Sequence, residues 1–368
     1  MKILLISGIY KPEIGGPAHY IPNLAQKLID LGHSVTVITL KQSTAKFQSE
    51  SWPVIYINRD QALIIRFIKT FLLIFKSARD SDLIFANGLY QESGLALRLI
   101  KRKSIAKVVG DPVYERESNR GKTLLTRTEF NVKNLNARQK IQRVFLRFSL
   151  NSFVYITCPS KELVGLVQNW GVNKPIHLIA NGVEKIEEAT VDKVIDLVTV
   201  SRLLALKNID NLIKATAITK TKLAIVGIGP EEITLRSLAK QLGADVEFHG
   251  LVDNYKVIQI LQKSKVFVLL SDYEGLSFAL LQAMSAGLPS IVSNVAGNTD
   301  VIENLKDGIV VDPYNIIEIT RAIEKIISDE KLRLILGKNA KTKVDNFYSQ
   351  DKNMKEIFKL MNLYPIHE

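Results

Sequence analysis

Short apolar runs alternate with amphipathic stretches from the first residues of the chain. KILLIS is a buried-strand run, GIYKPEIGGPAHY is a loop carrying Gly15-Gly16-Pro17, and IPNLAQKLIDLGH has helical spacing and stops at Gly32. SVTVITL is the next strand, and strand, helix and strand within about 40 residues predict a parallel βαβ unit. The alternation continues. PVIYIN and DLIFAN read as strands with a basic amphipathic stretch over 61–78 between them. ESGLALRLIKRK reads as a helix, IAKVVGDP as a strand ending at a turn, and residues 116–150 as basic and helix-prone. FVYITCPS, KELVGLVQNWG and PIHLIANGV follow as strand, helix and strand.

The segment EKIEEATVDK is charged and poor in large apolar residues, which marks a linker. A second series starts after it. DLVTVSR, KLAIVGIGP, DVEFHG, KVFVLLS and PSIVSN are expected strands. NIDNLIKATAIT, EEITLRSLAKQLG, NYKVIQILQKS and LSFALLQAMSAG are the helices between them. Two successive β/α series predict an α/β chain of two Rossmann-like, doubly wound domains, 1–186 and 187–345, facing a central cleft. The 368-residue length agrees with two domains.

Composition narrows the class. Hydrophobic residues make up 46% and charged residues 23%, an ordinary globular mix. One cysteine, Cys158, excludes an internal disulfide and a thiolate zinc site; in its strand context it reads as core packing in a reducing compartment. The start runs directly into ILLIS, so no secretory leader is expected. The longest apolar stretch, ALIIRFIKTFLLIF, carries Arg66 and Lys69 and falls short of the ~20 residues of a spanning helix.

Charge is uneven. Residues 1–186 hold 27 Lys/Arg against 13 Asp/Glu, and the remainder 22 against 24. A basic first half implies an anionic partner. Arg66, Lys69 and Lys76 recur at near-helical spacing within the apolar stretch, and RLIKRKSIAK and RQKIQRVFLRF add more cations. Such a surface suits an anionic membrane or an acceptor on a lipid diphosphate; a packed helix with a solvated cationic stripe is the plainer alternative. Nucleic acid is not expected, because no recognised motif is present and aromatics are only 7%.

Candidate chemistry concentrates in SDYEGLSFALLQAMSAGLPSIVSNVAGNTD. Glu274 is expected at the carboxyl end of a buried strand, where ligands bind in such sheets. Gly275 provides a turn and a helix starts after it, exposing amides that suit an anion. The loop NVAGNTD brings a flexible Gly297 before another helix, and two helix N-termini together suit a diphosphate. Ordinary strand-to-helix turns would explain the same pattern.

The stretch resembles the signature of glycosyltransferase family 4, the group 1 glycosyltransferases of GT-B fold. There a Glu-Gly is followed by a second acidic position eight residues on, then Ala-Met-Ala, Gly-x-Pro and a glycine-rich loop. The resemblance implies a retaining glycosyltransferase, a hexosyltransferase, that uses a nucleoside-diphosphate sugar and builds cell-surface polysaccharide or glycolipid. It implies that Glu274 holds donor-sugar hydroxyls, and that Gly275, Leu276, Ser277, Phe278, Ala296, Gly297 and Asn298 meet the sugar and phosphates. Gln282 stands where the family has its ribose-binding carboxylate, and Asp300 replaces a glutamate. VSRLLALKN resembles the family's Gly-Arg-Leu…Lys-Gly segment, so Arg202 and Lys207 map to the diphosphate-binding pair, with Asn208 in place of a glycine. Two fixed cations can take up charge on a leaving diphosphate, so no cofactor and no metal are expected.

AIVGIGPEE also matches the family, whose loop lines the base pocket with the turn around His249 and Gly250. A dinucleotide fingerprint at Gly227-x-Gly229 is the alternative, and Glu232 at its third glycine position disfavours it. In the first domain Gly15 and Gly16 resemble the loop that approaches donor phosphates. Asn181-Gly182-Val183 resembles the hinge turn. Asp111 and Asn87 stand where relatives often have histidine. Asp111 is a candidate for contact with the donor sugar or the incoming hydroxyl, or else a turn cap. Asn87 and His19 are acceptor-side candidates. The resemblance makes 1–186 the acceptor domain and 187–345 the donor domain, with 346–368 crossing back to the first. The lone cysteine and the basic surface lead to the expectation of a cytoplasmic protein, peripheral on the inner membrane face. Two other classes remain: an epimerase-like nucleotide-sugar enzyme of this fold, and a non-catalytic membrane-surface protein for which Gln282 argues.

Overall fold

Runs such as ILLIS, VITL and LIFAN leave almost no polar position to turn outward, so each must lie in a sheet covered on both faces. In the computed structural model they do. The structure describes residues 1–13, 15–42, 50–118, 130, 135–187 and 191–363. The chain divides into two units: the second is Ala180–Lys355, and the first holds the described residues of 1–179 with those from Glu356 on.

The first unit contains seven strands: β1 (Lys2–Ser7), β2 (Ser34–Lys41), β3 (Val54–Asn58), β4 (Leu83–Asn87), β5 (Lys103–Lys107), β6 (Tyr155–Cys158) and β7 (Ile176–Leu178). They pair in parallel in the order β3-β2-β1-β4-β5-β6-β7. The helices are α1 (Gly16–Asp30), α2 (Leu63–Arg79), α3 (Tyr90–Leu99), α4 (Pro112–Ser118), α5 (Ala137–Leu150) and α6 (Lys161–Asn169). Strand order reverses between β1 and β4, the switch point at which ligands bind such sheets.

The second unit repeats the plan with β8 (Ile195–Val200), β9 (Leu223–Val226), β10 (Val246–Gly250), β11 (Ser264–Leu269), β12 (Ser290–Ser293) and β13 (Gly308–Val311), ordered β10-β9-β8-β11-β12-β13. Its helices are α7 (Ile209–Thr219), α8 (Glu232–Leu242), α9 (Asn254–Gln262), α10 (Phe278–Ser285), the short α11 (Ala296–Thr299), α12 (Ile316–Ser328) and α13 (Glu330–Phe347). A last helix, α14 (Gln350–Met361), follows. Side chains of successive strand residues enter opposite cores. Val198, Phe267 and Val292 join Leu280 and Met284 in one, and Leu197, Val266, Val268 and Ile291 join Leu212 and Ile323 in the other. The switch point here lies between β8 and β11.

Several boundaries differ from the sequence reading. α1 starts at Gly16 rather than after Tyr20, because Pro17 is tolerated in a first turn and Gly15 (φ 153°) can end the loop. α3 stops at Leu99, so the basic run after it is not helical, and β5 begins at Lys103. The helix-prone span 116–150 contains the end of α4 and all of α5, and its residues 119–129 and 131–134 lie outside the described residues. The same holds for Ile14 of the glycine loop, 188–190 of the linker and 364–368 at the end. Among the described residues no helix is long and apolar enough to cross a membrane.

Candidate active site

In the second unit the carboxyl ends of β8 and β11 flank the switch point, and each delivers part of one polar cluster. From β11 comes Glu274. From β8 comes a loop ending in a 3-10 turn, Ala205–Lys207. Lys207 Nζ lies 2.5 Å from Glu274 Oε1, with both side chains mostly buried. Glu274 is held from other directions too. Ser271 Oγ donates to Glu274 Oε1 at 2.7 Å, and Ser293 Oγ donates to the Ser271 carbonyl at 2.6 Å. Asn298 Nδ2 in turn donates to Ser293 Oγ at 3.0 Å. A Cβ on Gly297 would stand 2.1 Å from the Glu274 carbonyl oxygen, so only glycine lets the 294–300 loop lie against the Glu274 backbone.

Lys207 is fixed by its neighbour. Asn208 has φ 49° and ψ 37°, the left-handed region that glycine and, next, asparagine enter most cheaply. Its Nδ2 donates to the Leu270 carbonyl at 2.9 Å and to Asp272 Oδ1 at 2.5 Å. The Asp272 amide donates to the Leu206 carbonyl at 2.9 Å, and Tyr314 OH donates to Asp272 Oδ1 at 2.7 Å. Burial pushes the Asp272 carboxyl above its ordinary pKa, against these hydrogen bonds. The substitution of the family's glycine therefore keeps the backbone geometry and adds a clamp between the two loops.

Arg202 is exposed, and no carboxylate among the described residues pairs with it. Its segment runs on beside the β9 exit: Ser201 N donates to Val226 O and Leu203 N to Ile228 O, each at 3.0 Å. This contact explains two glycines. A Cβ on Gly227 would stand 1.9 Å from Ser201 O, and one on Gly229 would stand 2.2 Å from Leu203 O. Gly227 and Gly229 are thus required by the backbone that carries Arg202. Gly227 N donates to the Gly250 carbonyl at 2.9 Å, which brings the β10 exit into the same row. His249 Nδ1 lies 3.5 Å from Glu247, and its Nε2 is buried without a hydrogen-bond partner among the described residues.

The turn after Glu274 is similarly anchored. Gly275 and Leu276 are buried, and the Leu276 carbonyl accepts from Asn181 Nδ2 at 3.0 Å. Ser277 caps α10, its Oγ accepting from the Leu280 amide at 3.3 Å. Amides of a first helical turn have no carbonyl within the helix, so the stretch from Ser277 to Phe278 presents a partial positive end. Gln282 lies one turn further, its Nε2 donating to Asn254 Oδ1 at 2.8 Å. Asn298, expected to meet sugar and phosphate, is fully buried and turns its amide nitrogen inward to Ser293.

In the first unit Gly15 ends the loop before α1, Gly16 opens the helix, and His19 is half-buried in its first turn. A Cβ on Gly88 would stand 2.7 Å from Gly8 N, so the β1 and β4 exits touch. Asn87, at the end of β4, is buried with neither amide atom hydrogen-bonded among the described residues. Asp111 is fully engaged. Its Oδ1 accepts from the Val113 and Tyr114 amides at 3.0 and 3.3 Å, and both oxygens meet Arg143, at 3.1 and 2.8 Å. That is a helix cap and a bidentate ion pair in an unexposed carboxylate, the geometry of the turn-cap alternative rather than of a group poised at a reacting sugar.

Sequence reasoning missed Ser271, Ser293, Asp272, Tyr314 and Asn254, which lie outside the motifs or look like ordinary strand-end polarity. It also missed Lys107. Register pairs Lys107 with Thr157 across β5 and β6 in the first sheet. Its ammonium is fully buried, has no hydrogen-bond partner among the described residues and stands 4.5 Å from the Tyr20 ring centroid. Burial pushes the Lys107 pKa down to about 7, and burial pushes the nearby Cys158 thiol up to about 12. Among the described residues no three His, Cys, Asp or Glu side chains are grouped to hold a metal ion.

Two family models match the chain, glycosyl transferases group 1 over residues 183–343 and glycosyltransferase family 4 over residues 14–185. The chain belongs to this glycosyltransferase family. An uncharacterised glycosyltransferase of Methanocaldococcus jannaschii is 33% identical over 226 residues, 56% of this chain and 57% of its own length. An Escherichia coli UDP-Gal:α-D-GlcNAc-diphosphoundecaprenol α-1,3-galactosyltransferase is 37% identical over 105 residues, 28% of this chain and 26% of its own. The chain spans about half the length of the first two curated relatives it matches. Among solved structures, sucrose-phosphate synthase from Thermosynechococcus elongatus superposes with a TM-score of 0.81 at 19% identity, over 98% of both chains. Anabaena HepE in complex with UDP and glucose does so with a TM-score of 0.78 at 16% identity, over 99% of this chain and 100% of its own. The fold is therefore the α/β GT-B fold of these glycosyltransferases.

Proposed function

We propose that this chain transfers a sugar, with retention of configuration, from a nucleoside-diphosphate sugar to an acceptor on a glycan or a lipid diphosphate. The observation that carries the reading is the Lys207–Glu274 pair at the second unit's switch point, with Arg202, which pairs with no carboxylate among the described residues, on the same loop. A carboxylate and cations in one place match a donor that is a polyol at one end and a dianion at the other. In this reading Glu274 exchanges part of its contact with Lys207 for hydroxyls of the donor sugar. Lys207 and Arg202 then meet the diphosphate. As the anomeric carbon–oxygen bond breaks, the electron pair goes to the leaving phosphate oxygen, where fixed cations stabilise it without a metal. The acceptor oxygen bonds to the same face of the sugar, and its proton leaves with the departing diphosphate.

Support for a lipid-linked acceptor comes from relatives and from the first unit's surface. The Escherichia coli relative and one from Campylobacter jejuni are named for diphosphoundecaprenol-linked acceptors. α2 exposes Ile64, Ile65, Ile68 and Leu72 beside Lys69, Lys76 and Arg79. α5 exposes Ile141, Val144 and Phe148 beside Arg138, Lys140 and Arg147, and Phe67 meets Phe145 between the two helices at 6.0 Å. Apolar side chains flanked by cations suit the headgroup layer of an anionic bilayer, which in this reading is the cytoplasmic leaflet.

A thermal-shift panel of UDP, GDP and ADP sugars tests the donor assignment. One nucleotide series is expected to raise the melting temperature by several degrees. No shift with any of them would contradict the reading.

A further inference from the structure

A third strand exit, that of β13 at the edge of the second sheet, reaches the Lys207 turn. β12 stands between β11 and β13 in the strand order, so a side chain from the β13 exit must cross one strand to meet the β11 exit. Tyr314 does so. Its hydroxyl donates at 2.7 Å to Asp272 Oδ1, the same oxygen that accepts from Asn208 Nδ2 at 2.5 Å. The turn that carries Tyr314 is itself fixed. The Tyr314 amide donates to Asp312 Oδ1 at 2.9 Å, and the Asn315 side chain caps α12. The Pro313 carbonyl accepts from Asn211 Nδ2 at 3.0 Å, and Asn211 belongs to α7, which begins directly after Asn208. The β13 exit therefore holds the Lys207 turn at two places, through Asp272 and through Asn211.

A lysine ammonium ends a flexible four-carbon stem, so its direction depends on what surrounds it. Glu274 directs Lys207 before a donor arrives, but in the proposed reaction Glu274 gives up part of that contact. Asp272 is then a second carboxylate to which Lys207 can turn, since the Lys207 charge already favours its ionised form. Oδ1 of Asp272 is engaged by the Asn208 amide and the Tyr314 hydroxyl together, which commits the carboxylate to the clamp. We infer that Tyr314 is a positioning residue of the donor site: by holding Asp272 in the clamp on Asn208, it keeps Lys207 directed at the diphosphate. The inference rests on the nucleotide-sugar reading above and adds a residue outside its motifs, one that acts through Lys207 rather than on the ligand.

A double-mutant cycle on the full chain tests it, by calorimetric titration with whichever of UDP, GDP and ADP binds the wild-type protein. Tyr314 is exposed, so Tyr314→Phe is expected to keep the melting temperature within a few degrees. It should weaken nucleoside-diphosphate binding about fivefold, the worth of one hydrogen bond. In a Lys207→Ala chain the same substitution should cost nothing further, because the group it positions is gone. A side chain that only supported the local fold would cost the same in both backgrounds. Equal losses in the two backgrounds, or unchanged affinity in Tyr314→Phe alone, overturn the positioning role and leave the donor assignment standing. Absence of binding by all three nucleotides to the wild-type chain overturns the donor assignment and this inference with it.

Discussion

Single residues carry two testable consequences. Asn208 combines a left-handed backbone with two side-chain bonds that tie the Lys207 loop to the β11 exit. Asn208→Ala loses both bonds and adds backbone strain, so it should cost about 2–3 kcal/mol in denaturant unfolding. Asn208→Gly relieves the strain and should cost less; equal losses would mean the backbone conformation is unimportant. Lys107 gives a pH dependence. Its folded pKa of about 7 lies below the ordinary 10.5, so the unfolded chain binds more protons in between and stability rises with pH from about 7. Cys158 works in the opposite sense. Its folded pKa of about 12 lies above the ordinary 9.0, so its contribution is present below 9 and declines above it. The net rise is confined to about pH 7–9 and is worth roughly 2 kcal/mol. Lys107→Met should flatten it, and an unchanged slope in that variant would exclude Lys107 as the source.

At the scale of elements, loops rather than strands determine the site. The 294–300 loop rests on the Glu274 backbone only because residue 297 lacks a side chain. Gly297→Ala should push the two loops apart, lower nucleotide-sugar affinity at least tenfold and cost about 1–3 kcal/mol of stability. Retained affinity, measured by calorimetry, would show that the contact does not position Glu274. The strands up to β12 were legible in the sequence, since runs such as LLIS and LIFAN have one physical solution in a covered parallel sheet, whereas the four-residue β13 was not read. Lys103 and Lys107 blurred β5 because a lysine in a strand normally signals a solvated edge, and Lys107 is buried. The placement of Arg202, Lys207 and Glu274 just after strand ends was legible because spacing after a strand is local. The grip of Ser271, Ser293 and Asn298 on Glu274 was not, because it depends on which strand exits become neighbours in the sheet. The cap at Asp111 was legible as an alternative, but its ion pair was not, because the partner Arg143 is 32 residues away.

At the scale of the whole molecule, the positive charge is concentrated in residues 1–186. With the exposed apolar stripe of α2, it leads to the expectation that the protein sediments with vesicles containing anionic lipid and not with neutral ones. Lys69→Glu with Lys76→Glu should weaken this binding at least tenfold, since each basic residue near an anionic surface contributes about 1 kcal/mol. Equal sedimentation with both vesicle types would remove electrostatics from the account. The division of work in the second unit is the central claim, with a carboxylate for the sugar and cations for the diphosphate. Its most direct test is calorimetric titration of wild-type, Arg202→Ala and Lys207→Ala chains with the nucleoside diphosphate that stabilises the protein. Micromolar binding by the wild-type chain and at least a tenfold loss in each variant is the expected result. Affinity unchanged in both variants would contradict it.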